Sequence, residues 1–321
     1  MYESFWYSIN TIAPLLILSV LGAMLFRRGF LGKAFFEGAD RLVFHAALPC
    51  LLFSEMIASD LSSVFDGRLT TFCVIATLLC FSLLCLFSPL FLKSRSSCGA
   101  FVQGFFRGNF AILGIPLAQN LFGEEGQSKI IMLMPFAVVL FNLCAVVALA
   151  LFAPREQNMS VKLVAKEILV SIVQNPLILS MILGLVFLWL RIPVPVMAER
   201  TLSYIGDLAA PLALLSLGAS FRPEHLRGRF RTALAAAIGK TLILPAAALV
   251  CAVILGFRGI SLGMILLWFG TPASVSSYIM TKQMHGDSEL SAQILILTTI
   301  ICVFTLFIGI FVLQWAGLLS S

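Results

Sequence analysis

Apolar residues fill this chain in long stretches, separated by short clusters of charged or turn-forming residues. A helix needs roughly 20 residues to cross the hydrocarbon core of a bilayer. Reading the apolar runs between breaks gives ten spans of about that length, at approximately 5–26, 34–58, 69–92, 98–122, 129–153, 163–190, 198–219, 231–256, 261–281 and 290–316. The connections are short and leave no room for a soluble domain. Alternation at period two is absent, which argues against an outer-membrane barrel. The expected fold is all-α and integral to the membrane, with ten transmembrane helices.

Composition agrees: 60% of the 321 residues are hydrophobic and 11% charged, against about half apolar and a quarter charged in a soluble domain. Too few polar side chains exist to cover a water-facing surface. The first span has no basic segment before it and no small-residue cleavage site after it, so it reads as a permanent helix rather than a removable signal. The eight cysteines lie mostly inside apolar spans without a CxxC pair, as small buried hydrophobes do.

The net charge of +6 is an orientation signal and gives no reason to expect nucleic acid as a partner. Of the 21 Lys and Arg, 14 cluster at the ends of odd-numbered spans, among them Arg27, Arg28, Lys93, Arg155 and Lys282. The other side holds Arg68, Lys129, Arg191, Arg200 and Arg258. Basic residues stay in the cytoplasm, which places both termini outside it.

Shifted by 162 positions, the chain matches itself at its helix breakers. Pro14 meets Pro176, Gly22 meets Gly184, Pro49 meets Pro211 and Gly108 meets Gly270, without a gap. The segments "PLLILSVLG" and "PLILSMILG" are near copies. Each half holds five spans, so the second copy enters the membrane upside down. The expected organisation is a first repeat over 1–153, a cytoplasmic linker over 154–162 and an inverted repeat over 163–321. Inverted repeats are common in secondary transporters, whose substrate sites lie near mid-membrane on discontinuous helices. Chance matching of Leu-rich helices is the ordinary alternative, and the shared Pro and Gly positions argue against it.

Spans four and nine carry such discontinuities at matching places. Span four has Gly108, Asn109, Gly114 and Pro116 near its centre; span nine has Gly270, Thr271, Pro272, Ser274, Ser276 and Ser277. Irregular backbone survives at membrane depth only where it lines a cavity or is enclosed by protein. Glycine lets a helix stop, Thr or Asn can cap the next, and Pro suits a first turn. Thr271–Pro272 reads as an N-cap and first-turn pair, while span four could restart at Asn109 or at Pro116. Two broken helices crossing at their gaps would present half-helix N-termini to an anion; kinking or close packing is the other use of such residues.

Ionisable groups inside spans are functional candidates by default. Lys240 lies deep in span eight, as substrate contact, ion mimic or structural partner. Arg107 also lies well inside its span, though less deep, and can either face substrate or snorkel towards Lys93 and Arg95. His45 and Asp207 occupy equivalent repeat positions and could relay protons, or could cap backbone near the membrane surface. Glu55 falls near the outer end of span two. Asn142, in the middle of span five, needs a hydrogen-bond partner, either a neighbouring helix or a solute. Enzyme signatures such as GxSxG, HExxH or a Walker-type loop are absent, and the three histidines lack metal-ligand spacing. The reading is a non-enzyme without metal or cofactor, driven by a gradient rather than by ATP.

Several blocks resemble the auxin efflux carrier family, in its bacterial branch, over nearly the whole chain. "GNFAILGIPLAQNLFGEEG" (108–126) is similar to the family's fourth-helix motif, and "SIVQNPLILSMILGLVFLW" (171–189) to the segment opening its second half. "PLALLSLGASF" (211–221) and "TPASVSSYIMTKQMHGDSELSA" (271–292) are similar to its seventh- and ninth-helix blocks. The resemblance implies ten helices in two inverted five-helix repeats, a scaffold domain and a transport domain that move against each other, and crossed helices four and nine. It implies a carboxylate as substrate, such as malate, malonate or auxin, with crossover prolines flanking it. Pro116 matches the proline of helix four; Ser277 stands where plant relatives carry a second proline of helix nine.

The sequence therefore predicts a secondary carrier or permease for a small mono- or dicarboxylate, working by alternating access in a bacterial inner membrane. Asn109, Gly114, Pro116, Thr271, Pro272, Ser274, Ser276 and Ser277 form the expected crossover site, with Asn142 and Lys240 beside it. The expected partners are the carboxylate and the lipid bilayer, with a second copy of the chain a further candidate. A sodium- or proton-coupled symporter of the bile-acid type, or a non-transporting sensor or scaffold with a carrier fold, are the alternatives.

Overall fold

A computed structural model describes residue 14 and residues 17–58, 66–110, 114–154, 166, 169–170, 173–220 and 226–319. These residues are helical; the only β pairing among them is a single bridge. Most of the first expected span and nearly all of the expected linker at 154–162 lie outside them.

The helices are α1 (Ile17–Arg27), α2 (Lys33–Leu42), α3 (Leu48–Ile57), α4 (Gly67–Phe91), α5 (Arg95–Phe106), α6 (Ile115–Leu151) and α7 (Pro176–Trp189). They continue as α8 (Val196–Asp207), α9 (Ala209–Ser220), α10 (Leu226–Ile238), α11 (Leu244–Ile254), α12 (Ile260–Gly270), α13 (Val275–Gln283) and α14 (Ser288–Trp315). Among the described residues five stretches are long and apolar enough to cross a membrane: Gly67–Phe91, Leu121–Leu151, Val196–Ala219, Arg229–Ile254 and Ser288–Trp315. Ile17–Arg27, Pro176–Trp189 and Ile260–Gly270 are shorter apolar helices.

Local chemistry explains the boundaries. Asp66 and Asp287 cap α4 and α14 by accepting from Leu69 N–H at 3.0 Å and Leu290 N–H at 3.1 Å. Asn175 caps α7 in the same way, accepting from Leu177 N–H. Two π-helical turns, Val43–Ala47 and Gly239–Ile243, join α2 to α3 and α10 to α11. Each ends two residues before a proline, Pro49 or Pro245. A proline ring displaces the carbonyl four residues earlier and donates no hydrogen bond, and the wider turn makes room for it. Within α6, Gly123 has φ 62° and ψ −149°, open to a residue without Cβ, and α6 is two helices across that kink.

Burial separates lipid-facing from inner elements. Leu86, Leu90, Trp189, Ile254 and Trp315 point outward, as apolar residues can where the solvent is lipid. Every residue of α12 from Leu262 to Gly270 is buried. A helix apolar all round belongs at the centre, and α12 packs against α6, α11 and α14.

The 162-residue offset reappears in contacts. A Cβ on Gly22 would lie 2.0 Å from the carbonyl oxygen of Leu215, so α1 and α9 touch backbone to backbone. A Cβ on Gly184 would lie 2.6 Å from Met56 Cβ and 3.3 Å from the carbonyl oxygen of Phe53, so α7 also packs closely on α3. Gly22 and Gly184 are 162 positions apart, and so are Phe53 and Leu215. Small residues at such crossings let helices approach without the hydrophobic drive that lipid removes.

Candidate functional site

Helix α5 stops at Phe106 and α12 stops at Gly270; the segments that follow meet. Gly108 pairs with Ala273 in an antiparallel bridge, and Asn109 N–H donates to the Pro272 carbonyl at 2.7 Å. Ala273 N–H donates to Thr298 Oγ1 of α14 at 3.1 Å. The interrupted backbone is thus satisfied by its counterpart and by a neighbouring hydroxyl, as a low-dielectric setting demands. Glycine at 108 is a steric requirement, since a Cβ there would sit 2.5 Å from Thr271 Oγ1.

The restarts differ from the sequence expectation in one place. In span nine Thr271 is the C-cap of α12 with extended backbone, and Ser274 is the residue preceding α13. Thr271 therefore ends one half-helix and does not begin the next, because the extended stretch needed for the bridge occupies 271–274. In span four helical backbone is present at Phe110, directly after Asn109, and again at Gly114 ahead of α6, so of the two expected restart points the structure favours Asn109, and Pro116 follows backbone that is already helical.

On one side of the crossing lies a cavity of about 80 Å³. Its polar lining comes from Glu55, Arg107, Asn109, Asn142, Ser274 and Ser276; Leu48, Leu52, Met134 and Phe141 supply apolar walls. Arg107 is only 4% exposed. Its guanidinium donates to Asn142 Oδ1 at 2.7 Å, to Ser276 Oγ at 2.7 Å and to Met280 Sδ at 2.6 Å. Asn142 is oriented by its own Nδ2, which donates to the Val138 carbonyl at 2.8 Å, and Ser274 Oγ lies 2.8 Å from Ser276 Oγ. The N-terminus of α13 has no side-chain cap and opens at the same residues, Ser274 and Ser276. Guanidinium and helix terminus both favour an anion there. Snorkelling, one of the two sequence readings of Arg107, does not occur.

Lys240 lies on the opposite side of the crossing. It is fully buried, and its Nζ donates to the Phe269 carbonyl at 2.7 Å and the Phe106 carbonyl at 3.5 Å. Those carbonyls belong to the C-terminal turns of α12 and α5, the negative ends of both half-helices. Lys240 does not line the cavity.

The expected site residues thus divide. Asn109, Asn142, Ser274 and Ser276 face the cavity; Thr271 and Pro272 lie within the crossing. Gly114 packs against Ile130 and Phe110, and Ser277 is buried away from the cavity. His45 and Asp207 are exposed and do not line it; His45 Nδ1 lies 3.1 Å from the Arg41 carbonyl. Two participants carried little weight in the sequence: Glu55, whose charge acts on Arg107 from the cavity wall, and Asp40. Asp40 is buried, ion-paired to Lys282 of α13 and hydrogen-bonded by Ser216 of α9. Among the described residues no three His, Cys, Asp or Glu side chains gather as a metal site would require.

Comparison with known proteins matches residues 7–310 to a family described as "Membrane transport protein". An uncharacterized transporter of Methanothermobacter thermautotrophicus is 25% identical over 304 residues, covering 94% of this chain and 97% of that protein. An uncharacterized transporter of Methanocaldococcus jannaschii is 24% identical over 195 residues, 60% of this chain and 61% of that one. A candidate malonate transporter of Rhizobium meliloti is 24% identical over 270 residues, 83% of each chain.

Proposed function

The chain belongs to the auxin efflux carrier-like family of membrane transport proteins, and from that premise we propose that it is a secondary carrier for a small organic anion, bound as a carboxylate at Arg107. A multi-pass membrane protein of this family needs a place where a solute meets polar groups inside the bilayer. The observation that carries the assignment is a buried guanidinium, aimed by Asn142 and Ser276, at the wall of a cavity where two broken helices meet. A buried charge of this kind is expensive unless it is used.

In this reading the ten spans form two inverted five-helix repeats, supported by the paired glycine contacts at Gly22 and Gly184. Helices α1–α3 and α7–α9 act as scaffold, and α4–α6 and α10–α14 as transport domain. The cavity lies between α3 and α9 on one side and α6 and the crossing on the other, where sliding of one domain would expose it alternately to each face. The Asp40–Lys282 pair ties the two parts together on the side where basic residues cluster, the cytoplasmic side, with both termini outside. A volume of about 80 Å³ suits a short mono- or dicarboxylate. The candidate malonate transporter among the relatives points the same way.

The test is counterflow of labelled malonate and labelled pyruvate in vesicles holding the purified protein. The parent should exchange at least one of them. Arg107→Gln should lower that exchange by about a hundredfold, the scale of a lost charge-assisted bond to a bound anion. Unchanged exchange in Arg107→Gln sinks the assignment. Binding of both anions without flux would point instead to a sensor that keeps the carrier fold.

A further inference from the structure

The cavity that holds Arg107 also holds a carboxyl group, and the two do not suit the same occupant. Glu55 and Arg107 are the charged residues among those lining it, one from α3 and one from the break after α5. Each feels the other's charge. With Glu55 ionised the cavity is neutral overall, and the guanidinium already has a carboxylate acting on it.

An anion arriving at Arg107 must share about 80 Å³ with that carboxylate. Two like charges roughly 5 Å apart, at the effective dielectric that suits partly buried sites, weaken binding by roughly a hundredfold or more. Removing the negative charge from Glu55 lifts that penalty, and a proton does so without taking up any of the cavity's small volume. Like-charged carboxyls sharing one site resolve their conflict in the same way, by keeping a proton on one of them.

We propose that Glu55 is the proton-carrying group of this carrier: it takes up one proton from water when the anion binds at Arg107 and releases it when the anion leaves. The inference rests on the reading of Arg107 as the carboxylate site. No covalent bond changes. One proton moves from water to a Glu55 carboxylate oxygen, so anion and proton cross together.

Among the described residues packed around α3, no other carboxyl or imidazole lines the cavity. Its neighbour α7 carries no ionisable residue. Glu199, Arg200, Tyr204 and Asp207 on α8 are exposed, as is His45 in the π turn. On α6, Glu124 and Glu125 are exposed, and Lys129 lies 3.9 Å from Glu125. Among the described residues, Arg107 is the one other ionisable side chain that lines the cavity with Glu55.

The sign follows directly. A site that must gain a proton to accept its ligand binds less tightly as pH rises, with a limiting slope of about tenfold per pH unit. The experiment measures pyruvate and malonate binding by calorimetry between about pH 6 and pH 8.5, in buffers of different ionisation enthalpy, so that proton uptake is counted directly. Pyruvate stays ionised throughout and isolates the protein's own proton. The parent should take up about one proton per pyruvate at the alkaline end. Glu55→Gln should take up none, and should bind at the alkaline end as tightly as the parent binds at the acid end. In vesicles it should lose accumulation driven by a pH gradient while still exchanging label.

Two results overturn the proposal and leave the anion site standing. Retention of the parent's proton uptake by Glu55→Gln would assign the proton to another group. Loss of all binding in a Glu55→Gln protein that melts like the parent would make Glu55 a ligand for a positively charged part of the solute. No binding of either anion by any form at any pH would overturn the site itself, and this inference with it.

Discussion

Arg107 and Lys240 are two buried cations at one crossing, each within reach of the same few residues of broken backbone, yet the structure uses them in opposite ways. Lys240 sits where α5 and α12 end, and its ammonium donates to carbonyls of their last turns. Arg107 sits on the face where α13 begins, and its guanidinium is held by neutral side chains at the edge of a cavity. The half-helix ends make the difference: carbonyls converge on one face and call for a fixed cation, while uncapped N–H groups open on the other and favour a mobile anion. The crossing therefore has a structural side and a solute side.

The largest expected effect tests the structural side. Lys240→Met keeps most of the side-chain volume and removes the charge, leaving two sets of buried carbonyls without their donor. Losing one partner of a buried charged contact costs about 3–5 kcal/mol. The melting midpoint in detergent should fall by many degrees, while pyruvate affinity of the protein that remains folded should stay within a fewfold of the parent. Arg107→Gln should reverse the pattern, with melting shifted by about 1 kcal/mol and affinity lost. If Lys240→Met abolishes binding in folded protein, the two sides are not separable.

Gly108→Ala comes next, because it strikes the place where the sides join. Its methyl would collide with Thr271 Oγ1, and Trp268 O and Lys240 Nζ lie 3.2 Å and 3.4 Å from the same point. Overpacking of this kind costs about 1–3 kcal/mol. The bridge to Ala273 must shift to relieve it, so melting and pyruvate affinity should both fall. A change in only one would show that the bridge does not couple them.

How far the sequence foretold this division depends on which residues are asked about. The breaks in spans four and nine were legible because Gly, Pro, Asn and Ser have no cheap place in lipid-exposed helix, and the structure brings both breaks together at Gly108 and Ala273. The crossing glycines were legible for similar steric reasons, whereas the sequence leaves the restart in span four open between Asn109 and Pro116, because both residue types suit a helix start. What could not be read was which way a side chain faces. Helical periodicity says little where every face is apolar, so depth alone marked Lys240 as the better ligand and Arg107, less deep, as a candidate to snorkel. Glu55 was underrated because it falls near a span end, where a charge normally reaches water, and Asp40 went unread. Asp40 meets Lys282, 242 positions away in sequence, and no local pattern announces that pairing.

The smallest predicted effect is the sharpest on this point. Thr271 was expected in the site because a hydroxyl at a broken helix suits a carboxylate. The structure buries it completely inside the crossing, and its Oγ1 has no hydrogen-bond partner among the described residues. A buried hydroxyl without a partner gives up its bonds to water for nothing in return, a penalty of about 1–3 kcal/mol. Thr271→Val replaces it with a methyl of nearly the same shape. Melting should therefore stay level or rise by up to about 1 kcal/mol, and pyruvate affinity should not change. Asn109→Ala, one step along the bridge and on the cavity wall, should weaken pyruvate binding by about tenfold, the scale of one hydrogen bond to a charged ligand. A tenfold loss in Thr271→Val instead would mean that its hydroxyl reaches the solute in another state of the carrier, and the line drawn between the two sides of the crossing would have to move.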